Sequence, residues 1–223
     1  MPRRRRNALG GTVYHVLNRA NAGGTIFATQ ADFQAFLNVL VEAQAYAPMR
    51  TLDYCLMPTH WHLVLWPEDD NALSRFMKWL ETTHTQRWHA AHDSVGFGHV
   101  YQGRFKSFPV QNNHHYLTVC RYVERNPVRK GLVPAPEEWP WSGLFQRRHS
   151  LTDGRPRLDA GPLEFPEDWL SMVNTTPLES EDATIRVCIQ RGRPFGGPGW
   201  TQSTAERLGL SSTLRPRGRP REK

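Results

Sequence analysis

Residues 50–66 read RTLDYCLMPTHWHLVLW, and this stretch decides the fold. From Arg50 to Met57, and again from His60 to Trp66, β-branched, aromatic and long apolar side chains dominate without a helical period. Pro58 and Thr59 make a short connection, and Pro67 stops the second run. The two runs are expected to pair as a hairpin. In a strand, residues i and i+2 share a face with Cα atoms about 6.5–7 Å apart. His60 and His62 therefore stand side by side, while Trp61, Leu63 and Leu65 turn the other way, into a core. Two imidazoles so placed can converge on one divalent cation. Such a pair also arises by chance in a chain with ten histidines, so alone it leaves a metal site and an ordinary strand both open.

Upstream, residues 11–18 (GTVYHVLN) alternate and are rich in β-formers, which predicts a strand. A turn-rich loop from Asn18 to Gly24 follows. Residues 30–46 carry Phe33, Phe36, Leu37, Leu40 and Val41 at helical spacing, and Pro48 ends that helix. Downstream, residues 71–90 read as a long helix with Leu73, Phe76, Met77 and Leu80 on one face. Residues 104–110 (RFKSFPV) read as a fourth strand, with Pro109 confining it to an edge or a strand end. Asn112 or Asn113 can cap a helix running to about Asn126, where Pro127 is expected to terminate it. The order β-α-β-β-α-β is that of an α+β, ferredoxin-like split βαβ fold with one additional helix. Such a sheet covers one face with two helices and leaves the other for a ligand or a further helix.

On the additional helix, Tyr122 and Asn126 are four residues apart and share a face. His115 and Thr118 extend that polar stripe, and Tyr116, Val119, Cys120 and Val123 form an apolar one. The flanking Arg121, Glu124, Arg125 and Asn126 predict a polar, exposed setting for Tyr122.

Composition narrows the partner. The 223 residues hold 28 Lys and Arg against 21 Asp and Glu, a net charge of +7. An excess of this size favours a polyanion, most commonly nucleic acid. Arg3, Arg4, Arg5 and Arg6 form one basic arm, and Arg215, Arg217 and Arg219 fall in another. Within the second arm, PRGRP at 216–220 is compatible with a minor-groove hook or with a plain phosphate-binding arm. The three cysteines form no CxxC pair, which argues against a zinc ribbon and for a reducing compartment. No stretch has the length of a membrane span, and no secretory leader is legible. The expected location is cytoplasmic, at the nucleoid when bound to DNA, with no membrane partner. The expected division is a basic arm (1–9), a nuclease domain (10–149), a linker (150–180) and a basic DNA-binding extension (181–223).

The stretches YCLMPTHWHLVLWP, VYQGRFKSFPV and RYVERNPVRKGLV resemble the single-tyrosine HUH transposases. More narrowly they resemble the REP-associated tyrosine transposases of bacteria. The opening YHVLNRANAGGTIF and the ending GRPFGGPGWTQSTAERLGLSSTLRPRGRPR are similar to the same group, so the likeness runs colinearly through most of the chain. The resemblance implies that His60 and His62 are metal ligands, that Tyr122 is the nucleophile and that Asn126 supplies a third protein ligand. It implies a divalent cofactor, Mg²⁺ or Mn²⁺, and cleavage and rejoining of single-stranded DNA bearing REP-type hairpins through a 5′-phosphotyrosine. One departure is Ala20, where the loop of the group commonly has glycine. The long C-terminal extension is more compatible with a monomer, and a dimer stays open.

Besides the arms, Asn18, Arg19, Asn21, Gln102, Arg104, Lys106 and Arg121 are candidate DNA contacts. Single-stranded DNA binding also recruits aromatic rings, for which Trp66, Tyr101 and Phe105 are available. Two rival readings share these residues. One is a non-catalytic ferredoxin-like nucleic-acid-binding module. The other is a hydrolase in which metal-bound water attacks and Tyr122 only positions.

Overall fold

Four antiparallel strands build one sheet in the order β2-β3-β1-β4: β1 (Val13–Arg19), β2 (Arg50–Met57), β3 (His60–Trp66) and β4 (Lys106–Val110). The computed structural model describes residues 8–96 and 98–215. The 50–66 stretch forms the expected hairpin, with Met57 opposite His60 and Cys55 opposite His62. β1 lies on the other side of β3, placing Leu17 opposite His62 and Arg19 opposite His60. α1 (Gln30–Tyr46) joins β1 to β2, and α2 (Ala72–Ala91) joins β3 to β4. This is the split βαβ arrangement.

Alternation along the strands sorts two cores. Tyr14, Val16, Tyr54, Leu56, Trp61, Leu63 and Leu65 pack with Phe33, Phe36 and Leu40 of α1 and Phe76, Met77 and Leu80 of α2. Thr29 and Asp32 form a reciprocal capping box at the start of α1, worth about 1 kcal/mol. The opposite face, with Val13, Cys55, Met57, Val64, Phe108 and Val110, packs against Tyr116, Val119, Cys120 and Val123 of α3 (His114–Glu124). Both faces are covered, so β2 and β3 are buried nearly end to end.

Two local expectations are corrected. Pro127 does not stop the helix. α3 ends at Glu124, and a new turn, α4 (Asn126–Arg129), begins with Pro127 in its first turn. A proline has no N–H to offer there and none is needed, so the residue starts a helix as readily as it ends one. Glu124 is also no polar flank. It is fully buried, ion-paired with Arg147, and accepts a bond from Trp169 Nε1 at 2.9 Å.

Residues 150–180 lie against the core. Asp159 N–H bonds Thr51 O at 2.8 Å, and Arg155 reaches Pro140 O at 2.8 Å. Trp169 and Val173 of α6 (Trp169–Asn174) enter the α3 core. Arg147, from α5 (Gly143–Arg148), bridges Glu124 and the buried Asp53 on β2. α7 (Glu179–Arg191) and α8 (Pro198–Arg207) follow. Ile185 and Cys188 of α7 complete the second core, which brings α7 beside α3 and β4. No described helix is long and apolar enough to cross a membrane.

Candidate active site

A cleft of about 920 Å³ opens where the ends of β1 and β3 meet α3, α4 and α7. The hairpin places His60 and His62 on its floor, their ring centroids 5.0 Å apart and nearly perpendicular. Tyr122 stands over them, its ring 6.2 Å from that of His62. Asn126 lines the same wall one helical turn on. Four residues from three elements, β3, α3 and α4, thus converge.

Both imidazoles are held neutral. Burial dominates, pushing His60 down to about 4 and His62 well below its usual value, and the charges of nearby Arg19 add to it. A neutral imidazole keeps the lone pair that a cation needs. His60 Nδ1 lies 3.0 Å from Thr59 Oγ1. His62 Nδ1 lies 2.8 Å from Nε2 of His15, a fully buried histidine on β1. His62 Nε2 is buried without a hydrogen-bond partner. Such an orphaned atom is rare in a folded interior and marks a place for an ion or water.

Among the described residues, no group of three His, Cys, Asp or Glu could hold a metal. Asn126, the third ligand that the resemblance implies, lines the same cleft as the two histidines. Its Nδ2 donates to the carbonyls of Tyr122 (3.1 Å) and Val123 (3.2 Å), turning Oδ1 away from the helix. Oδ1 accepts from Arg129 at 3.1 Å, and an amide oxygen has a second lone pair to offer. The donor set, two imidazoles and one amide oxygen, fits a divalent cation.

Tyr122 differs from the expectation: only 8% of it is exposed. Helix α7, remote in sequence, covers what the local pattern leaves polar. Burial raises the pKa of the phenol, against which Arg129 and Arg186 pull down, while Asp182 pushes up. The Arg129 guanidinium sits 4.2 Å from the Tyr122 ring centre and pairs with Asp182 at 3.0 Å.

The cleft is cationic. Arg19, Arg104, Lys106, Arg129, Lys130 and Arg186 line it, and no described Asp or Glu does. Asn18, Gln102, Arg19, Arg104 and Lys106 thus come to the site as a group. Asn18 is buried, donating to Glu81 Oε1 at 2.6 Å and to Gly103 O at 2.9 Å. It holds the 102–104 loop against β1. Asn21 is exposed and outside the cleft lining. Arg121 is ion-paired with Glu181 of α7, also outside it. Arg215 is exposed at the end of the described chain. Arg3, Arg4, Arg5, Arg6, Arg217, Arg219 and the PRGRP stretch lie outside the described residues.

Of the aromatic candidates, Tyr101 and Phe105 belong to the buried core. Trp66 is half-buried, under the Arg50 guanidinium at 3.8 Å. His15, Arg129, Lys130, Arg186 and Gln190 were not legible as site residues. For His15 a signal existed: a polar residue stands where the strand's alternation demands an inward one.

The chain belongs to the family of IS200-like transposases, whose model matches residues 9–126. It is 28% identical to an Escherichia coli REP-associated tyrosine transposase over 166 residues, 74% of this chain and 87% of that one. It is 25% identical to a putative REP-associated tyrosine transposase of Haemophilus influenzae over 130 residues, 55% of this chain and 67% of that one. The fold matches a REP-associated tyrosine transposase solved with a REP hairpin. That match has a TM-score of 0.54 and 22% identity, and covers 71% of this chain and 92% of the other.

Proposed function

We propose that this transposase cleaves and rejoins single-stranded DNA at REP-type hairpins, with Tyr122 as nucleophile. One observation carries the reading: His60, His62, Tyr122 and Asn126 converge in a single cleft lined by cations and by no described carboxylate. A phosphodiester backbone is the ligand such a cleft attracts. The relatives' names support a REP hairpin as the substrate.

The Tyr122 oxygen attacks the phosphorus in line, losing its proton. The new O–P bond replaces the bond to the 3′-oxygen, which leaves as a hydroxyl. The product is a 5′-phosphotyrosine. Because the ester conserves the bond, attack by a 3′-hydroxyl reverses the step and rejoins DNA without ATP. A free tyrosine is about one part in a thousand phenolate at neutral pH, a cost of roughly 4 kcal/mol, and burial of Tyr122 adds to it. Arg129 and Arg186 work in the opposite direction, and both line the cleft that the phosphate would enter.

His60, His62 and Asn126 would hold a divalent cation, Mg²⁺ or Mn²⁺. Bound there, it polarises the scissile phosphate and neutralises charge in the transition state. Arg19, Arg104 and Lys106 track the backbone away from that point. The 10–149 segment is proposed as the catalytic domain and 181–223 as an extension that contributes Arg186 and Gln190 to its cleft. The protein is proposed to act as a monomer in the cytoplasm.

The test uses labelled single-stranded hairpins with Mn²⁺ or EDTA on a denaturing gel. A metal-dependent covalent adduct, absent in Tyr122→Phe, is expected. Cleavage without an adduct would replace the nucleophile by water. Binding without cleavage would leave a nucleic-acid-binding module.

A further inference from the structure

We infer that His15 is a positioning residue that fixes the tautomer and ring orientation of His62 for metal ligation. The inference rests on the proposed reading of His60 and His62 as ligands, and adds a residue that neither family likeness nor sequence spacing singled out.

His15 and His62 come from adjacent strands, with Leu17 opposite His62 and His15 opposite Val64. Both rings lie on the α3 side of the sheet. They stack at 5.0 Å with planes 26° apart, and a hydrogen bond of 2.8 Å joins His15 Nε2 to His62 Nδ1. Phe108, 4.9 Å from His15, backs the pair. The two remaining ring nitrogens, His15 Nδ1 and His62 Nε2, are buried without hydrogen-bond partners.

One proton occupies the bond between the rings, and its side decides what His62 can do. If His15 Nε2 carries it, His62 Nδ1 is the acceptor. The single N–H of the neutral His62 imidazole then sits on Nε2, and the ring presents a donor to the cleft. If His62 Nδ1 carries it, Nε2 keeps its lone pair and faces the cleft as a ligand. Only the second arrangement can bind a cation through Nε2. It requires His15 Nε2 to accept, so His15 holds its own proton on Nδ1, against the apolar core. A hydrogen-bond acceptor behind a ligating histidine also fixes the ring plane and raises the basicity of the ligating nitrogen. In many metal sites a carboxylate or backbone carbonyl takes this place. Here a neutral histidine does so, leaving the cleft without a carboxylate that would repel DNA.

Two measurements on the full chain test this. The first is histidine side-chain ¹⁵N NMR of the metal-free wild type, which needs no variant. A His62 ring protonated on Nδ1 is expected, and protonation on Nε2 would overturn the inference. The second is Mn²⁺ binding by calorimetry without DNA. His15→Leu should weaken binding by about 10- to 100-fold. His15→Gln, whose amide oxygen can accept from His62 Nδ1, should restore most of it. Wild-type affinity in a folded His15→Leu would overturn the inference while leaving the metal site intact. Unchanged binding in His62→Ala would overturn the metal reading and this inference together.

Discussion

The two faces of the sheet each bury histidines, and they treat them differently. On the α1/α2 face, His84 is as buried as His62 and its pKa is likewise depressed, to about 3. It is satisfied: His84 Nδ1 shares a hydrogen bond of 2.7 Å with the Tyr101 hydroxyl, which also accepts Trp61 Nε1–H at 3.1 Å. On the α3 face, the His15–His62 pair leaves two ring nitrogens unpartnered, one of them next to a cationic cleft. Burial and a shifted pKa are therefore common to both. What separates a core histidine from a candidate ligand is the unsatisfied atom and what lies in front of it.

The comparison is sharpest in a pair of variants. His62→Ala should lower cleavage of a hairpin substrate by orders of magnitude in protein that still folds. His84→Leu should cost about 1–3 kcal/mol of stability because the buried Tyr101 hydroxyl loses its hydrogen-bond partner, with cleavage retained. Equal losses of activity in both would erase the distinction between the faces. Trp61→Ala probes the α1/α2 face more bluntly. This fully buried ring should cost about 3–5 kcal/mol in chemical denaturation, although it sits between the two candidate ligands in sequence.

Much of this was legible in the sequence, and the reasons for the rest are physical. The hairpin at 50–66 is local, so strand alternation alone separated Trp61 from His60 and His62. The Tyr122–Asn126 face followed from helical spacing in the same way. Burial of Tyr122 did not, because Asp182 and Arg186 reach it from a helix some sixty residues on. Arg129 lay in view in the stretch RNPVRKGLV, but its turn toward the Tyr122 ring depends on Pro127 starting α4 instead of ending α3. His15 needed the β1–β3 register, which only the assembled sheet provides. Residues 150–180 lack periodicity and so read as a linker, yet single residues such as Trp169 and Val173 anchor them.

Smaller effects refine the same contrast. Lys106, exposed in the cleft rim, should contribute through charge alone. In Lys106→Ala, the slope of log binding constant against log salt should fall in size by about 0.7 per single-strand phosphate released. An unchanged slope would remove Lys106 from the DNA path. The buried histidines also predict a pH dependence of stability. His15 and His84 fall to about 3 and His60 to about 4, from 6.5. Their folded pKa values lie below the unfolded ones, so the unfolded chain binds more protons below pH 6.5. Their contribution is complete above 6.5 and is lost as pH falls toward the folded values. The raised pKa values of the buried carboxyls Glu124 and Asp53 act in the opposite sense. The melting temperature should therefore fall between about pH 7 and about pH 5, and more steeply in Glu124→Gln. A flat profile in both proteins would contradict the assignment of neutral, buried imidazoles.

The most direct measurement is the fate of the Tyr122 oxygen. Wild-type protein, a labelled single-stranded hairpin and Mn²⁺ should give a protein–DNA adduct stable to denaturant, and mass spectrometry of the digested adduct should place the phosphate on Tyr122. EDTA and Tyr122→Phe should each abolish it. Cleavage that persists in Tyr122→Phe, or an adduct mapped to another residue, would contradict the central claim.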